Sequence, residues 1–108
     1  PDPACNPYLA FAAMITAGLK GIEKNYKLAE PVEVDIYHLS QKEREKMGIQ
    51  ELPGSLYEAV LEVEKSAVVK EALGEHIFNK FVENKKIEWD AFRTHVSAYE
   101  IEKYLPIM

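Results

Sequence analysis

The stretch that decides the fold is Glu75–Thr94, EHIFNKFVENKKIEWDAFRT. Phe78, Val82, Lys85, Trp89, Phe92 and, just beyond, Val96 follow three-and-four spacing, with Ile77 and Phe81 alongside. Glu75, Asn79, Glu83, Lys86 and Asp90 take the opposite side. This period gives an α-helix one apolar face and one wet face.

Outward from this helix, the local signals are almost all helical. Asn6-Pro7 reads as a helix start, with Asn as the N-cap and Pro at the first helical position, where its missing N–H costs nothing. Apolar residues surround the helix from Tyr8 to Ile15, which predicts burial on several sides. Ile15, Leu19, Ile22 and Tyr26 then carry one stripe onward. Lys27 to Leu39 reads as an extended connector broken by Pro31. Val32–Ile36 alternates like a strand but has no partner strand in the chain. Three Ser-x-x-Glu capping boxes follow, Ser40/Glu43, Ser55/Glu58 and Ser97/Glu100, and each predicts a helix start. Gly48 and the Pro53-Gly54 turn separate the first two of these helices, and Ser66 caps another that ends at Gly74. The helix after Ser97 carries Ile101, Tyr104 and Leu105, and Pro106 stops it. The expected class is all-α, a small bundle-like domain with a protruding carboxy-terminal helical arm.

At 108 residues, 47% of them hydrophobic and 29% charged, the chain can build one modest core, and disorder is a poor reading. The net charge of −5 and the scattered basic residues argue against a nucleic-acid module, which needs a basic stripe. The apolar run from Tyr8 to Leu19 falls short of the roughly 20 residues that span a bilayer. A single cysteine, Cys5, makes no internal disulfide, so the sequence suits a reducing, cytoplasmic compartment.

No residue pattern points to catalysis. His38, His76 and His95 are not spaced as metal ligands, and neither GxGxxG nor GxxxxGK[ST] occurs. Cys5 lacks an adjacent base and reads as a packing residue at a helix start. Glu88, beside Trp89 at the edge of the apolar stripe, reads either as a water-facing acid or as a charge meeting another subunit. The tail SAYEIEKYLPIM places Tyr99, Ile101, Tyr104, Leu105, Ile107 and Met108 at a chain end, where polar, frayed residues are the norm. It either folds back on the core or docks elsewhere. A free-standing helical interaction module is one reading of such a chain.

PDPACNPYLAFAAMITAGLKGI, then DIYHLS, LPGSLYEAVLEVEKS, ALGEHIFNKF and IEWDAFRTHVSAYEIEKYL, taken together, resemble the carboxy-terminal part of class I glutamine synthetases across essentially the whole chain. The resemblance implies a ligase that joins ammonia to glutamate with ATP, through γ-glutamyl phosphate, using Mg2+ or Mn2+. It implies that metals and nucleotide are held mainly by a sheet upstream, and that the chain begins just past the active site. No catalytic, cofactor-binding or metal-binding residue of the family matches a position here. The expected divisions are residues 1–96 as a helical domain and 97–108 as an inter-subunit arm. The family's two face-to-face hexameric rings imply a dodecamer whose arms insert into the opposite ring, with Tyr99, Ile101, Tyr104, Leu105, Ile107 and Met108 in contact. Tyr37 matches the tyrosine adenylylated in one subgroup, but His38 and Ser40 depart from that subgroup's pattern, so Tyr37 is expected to be an ordinary loop tyrosine. In the other subgroup the glutamate matching Glu88 takes part in glutamine feedback.

Overall fold

The computed structural model describes residues 2–107, and its regular structure among these is entirely helical. The all-α class expected from the sequence is the class observed.

Helix α1 spans Pro7–Glu23. Asn6 caps it, its Oδ1 accepting the N–H of Tyr8 at 3.0 Å and of Leu9 at 3.4 Å. The helix stops short of Tyr26, where the apolar stripe pointed. Asn25 takes a left-handed conformation with φ 49°. The Tyr26 N–H then bonds the Gly21 carbonyl and the Asn25 N–H bonds that of Ile22, a Schellman closure that satisfies the last free carbonyls. After this turn the chain has no regular structure until a 3-10 turn at Ile36–His38, with Asp35 Oδ1 accepting the Tyr37 N–H at 3.1 Å. The alternating Val32–Ile36 segment forms no strand, because no second extended segment lies beside it to complete a ladder.

Helix α2, Gln41–Lys46, carries the full Ser40/Glu43 capping box. Helix α3, Leu56–Lys65, corrects the second expected box. Ser55 Oγ accepts the Glu58 N–H at 3.2 Å, but the Glu58 carboxylate turns instead to the N–H of Gly54 at 2.7 Å. Helix α4, Ala67–Leu73, is capped by Ser66. Gly74 joins it to α5, Glu75–Arg93, with φ 72° and ψ 156°, a backbone region essentially reserved for glycine. Val96 does not extend the α5 stripe as expected. The helix ends at Arg93, where Thr94 Oγ1 donates to the Asp90 carbonyl at 2.9 Å. Helix α6, Ala98–Tyr104, carries the full Ser97/Glu100 box and passes into a 3-10 turn at Leu105–Ile107 that contains Pro106.

The core lies where α3, α4 and α5 meet. Val60 (3% exposed), Phe78 and Val82 form its centre, with Leu56, Val63, Val69 and Leu73 packed around them. Helix α1 lies against α4, pinned by Lys20 Nζ at 3.2 Å from Glu71 Oε1. The burial of α1 on several sides is not seen: none of its residues is buried, because α4 covers only one side. The radius of gyration is 18.6 Å, against about 13 Å for a compact domain of this length. Among the described residues no helix is long and apolar enough to cross a membrane.

Candidate functional site

Large apolar side chains stand exposed on two surfaces. On α1, Tyr8, Phe11, Ile15, Leu19 and Ile22 recur at helical spacing and are all exposed, Tyr8 to 84%. They form a stripe on the side away from α4. Contiguous exposed apolar area of this kind marks a surface made to be covered.

The second surface is the carboxy-terminal arm. Among the described residues α6 packs chiefly on its own terminal turn. Tyr99, Ile101, Tyr104, Leu105 and Ile107 are exposed, Ile107 to 77%. The fold-back of the tail onto the core is therefore not seen. Met108 lies outside the described residues. Lys103 holds the aromatic side of the arm in place, its Nζ 2.8 Å from Tyr99 Oη and 5.7 Å from the Tyr104 ring centre. At the helix start, Glu100 accepts from the N–H and the hydroxyl of Ser97. These bonds hold its carboxyl below the usual value. Ser40 does the same for Glu43, chiefly through its hydroxyl.

A third feature runs along α5. Trp89 stacks on Tyr57 of α3 and meets Phe92, each at 6.1 Å between ring centres. Phe92 is 71% exposed, so the apolar stripe of α5 outruns the core that its first half buries. Glu88, one residue before Trp89, is exposed and bonded at 2.5 Å to Lys85 Nζ. Tyr37 stands 88% exposed, its ring edge-on to His38, while His38 Nδ1 lies 2.6 Å from Asp35 Oδ2.

His38, His76 and His95 are each exposed. Among the described residues no group of three or more His, Cys, Asp or Glu side chains is placed to hold a metal ion. Cys5 is half-buried in the turn ahead of α1, where its N–H bonds the Asp2 carbonyl at 3.0 Å. Contacts between residues distant in sequence carry no local signal. Lys86 Nζ reaches Glu64 of α3 at 2.7 Å. Arg44 pairs with Glu51 at 2.9 Å while its Nε is buried without a partner. A cavity of about 680 Å³ opens between α1 and the α3–α5 core, beside Asp2–Asn6.

Fold and surfaces together define an all-α module with apolar faces open to solvent. The chain belongs to the glutamine synthetase family: the family model described as "Glutamine synthetase, catalytic domain" matches residues 1–104. A glutamine synthetase of Methanosarcina mazei is 51% identical over 108 residues, covering 100% of this chain and 24% of that protein. One of Mycolicibacterium smegmatis is 50% identical over 99% of this chain and 24% of its own length. One of Staphylococcus aureus is 49% identical over 96% of this chain and 23% of its own. The chain thus spans about a quarter of the length of the curated relatives it matches.

Proposed function

We propose that this chain is the carboxy-terminal helical part of a glutamine synthetase that ligates ammonia to glutamate with ATP, and that it supplies subunit contacts rather than catalytic groups. The observation that carries this reading is the exposed apolar arm, Tyr99 to Ile107, on a chain matched along its whole length by a glutamine synthetase. Residues 1–96 form the helical body in this reading. Residues 97–108 form the arm that buries against a subunit of the opposite hexameric ring in a dodecamer. The residues described do not fit a divalent metal, since no donor set converges among them. Mg2+ or Mn2+, ATP, glutamate and ammonia are assigned to the rest of the longer protein, and no step of the reaction is routed through this chain. A cytoplasmic setting is supported by the single cysteine.

Glu88 is assigned to glutamine feedback, supported by its exposed carboxylate on the open half of α5. Tyr37 is assigned no modification and stands as a loop tyrosine. The rival reading, a free-standing helical interaction module, is disfavoured by relatives four times as long as the chain.

The test is deletion of residues from Ser97 onward in the full-length protein, followed by sizing. Single hexameric rings are expected. An intact dodecamer overturns the reading.

A further inference from the structure

Two acids on α5, Glu83 and Glu88, each pair with the lysine three residues before them. Lys80 Nζ lies 2.7 Å from Glu83 Oε2, so the two pairs share order, spacing and helix. What holds the two lysines is different. The Lys80 side chain is 63% exposed, and that of Lys85 is 34% exposed. Lys85 lines the apolar cavity beside α1 with Leu9, Leu56 and Leu73, and its Nζ lies 5.9 Å from the Phe81 ring centre. A lysine stem laid along an apolar wall leaves its ammonium few directions to take, and the aromatic face adds its own attraction.

Stability is not what this pair supplies. Lysine ahead of glutamate is the weaker order along a helix, and an ion pair open to water adds little. What the pair fixes is position. The ammonium bonds Glu88 Oε2 and leaves Oε1 for a second donor on an exposed side chain. A carboxylate held in this way has its rotamer chosen in advance, so a donor that meets it does not bear the cost of ordering it.

We propose that Lys85 is the positioning residue for Glu88 in glutamine feedback. Anchored along the cavity wall and against Phe81, it holds the carboxylate ready for the donor that Glu88 meets when glutamine inhibits. The proposal rests on the assignment of Glu88 to feedback and names the residue that orders that site.

Lys85→Met tests it in the full-length enzyme, because it keeps an apolar stem against Phe81 and removes the ammonium. With inhibition scored against each variant's own uninhibited rate, the half-inhibiting glutamine concentration should rise about two- to fivefold, the range open to an exposed ion pair. Lys85→Arg keeps the charge and should restore most of the native value. In a Glu88→Gln background Lys85→Met should add nothing, since the carboxylate it positions is gone. Lys80→Met, which breaks the matching pair, should leave inhibition as it is. Unchanged or tighter inhibition in Lys85→Met overturns the proposal, as does a Lys85→Arg that behaves like Lys85→Met. An equal rise in the Glu88→Gln background or in Lys80→Met overturns it too. If Glu88→Gln weakens inhibition while Lys85→Met is inert, only this proposal falls; if Glu88→Gln is itself inert, the assignment of Glu88 falls and takes the proposal with it.

Discussion

Lys20 of α1 stands between two carboxylates, 3.2 Å from Glu71 on α4 and 3.3 Å from Glu23 on its own helix. The bond to Glu71, and then that to Glu23, raise the Lys20 pKa above its ordinary 10.5. A group whose pKa is raised on folding stabilises fully below its unfolded value, and that stabilisation is lost as pH climbs through the folded value. Thermal unfolding followed from neutral into alkaline pH should show a loss in the native protein that is smaller in Lys20→Met. Identical alkaline losses in the two proteins would show that the pair does nothing to hold α1 on α4.

Phe78 and Phe92 share one helix and opposite fates. Phe78 sits in the core, whereas Phe92 is largely exposed. In denaturant unfolding, Phe78→Ala should cost about 3–5 kcal/mol, the range for deleting a buried aromatic ring. Phe92→Ala should stay within about 0.5 kcal/mol in the unassembled chain. A comparable cost for both would mean that the second half of α5 is buried as well.

The arm's helix depends on its first turn. Ser97→Ala removes the side-chain acceptor for the Glu100 N–H and should cost about 1 kcal/mol of helix stability. It also removes the hydroxyl bond to Glu100 while keeping the larger cause, the Ser97 N–H, so the Glu100 carboxyl should rise only part of the way toward its ordinary 4.5. Because that carboxyl is depressed on folding, its contribution is present above 4.5 and is lost as pH falls through the folded value. Carboxyl titration by NMR reads this directly, and an unmoved Glu100 in Ser97→Ala would contradict it.

For regulation, the informative substitution is Glu88→Gln, which keeps the side chain's size and removes its charge. In the full-length enzyme, inhibition by glutamine should weaken while the uninhibited rate is kept. Unchanged inhibition would end the assignment of Glu88 to feedback.

Legibility from sequence followed the range of each interaction. Asn6, Ser40, Ser66 and Ser97 announce their helices because a cap bonds two or three residues ahead. The Ser55/Glu58 box departs from its pattern by one bond, since the pattern cannot say that Glu58 will choose the N–H of Gly54. The end of α1 was hidden for a similar reason: an Asn in left-handed geometry closes the helix while the apolar spacing runs on to Tyr26. The candidate surfaces were visible as apolar residues with too little core to absorb them. Which of them stay open was not visible, because spacing marks Phe78 and Phe92 alike. The Lys86–Glu64 pair and the cavity beside α1 arise only once helices distant in sequence meet.

The position of the core in the chain also sets an order of events during synthesis. Val60 belongs to α3 and Phe78 and Val82 to α5, with only the short α4 between, so their contacts span little sequence and close quickly once α5 is complete. Helix α1 is made earlier but has no surface to lie on until α4 has left the ribosome. For that interval Leu9, Ala10 and Ala13, half-buried in the folded chain, are bare along with the stripe that stays open, and the nascent chain is at its most adhesive before its own core exists.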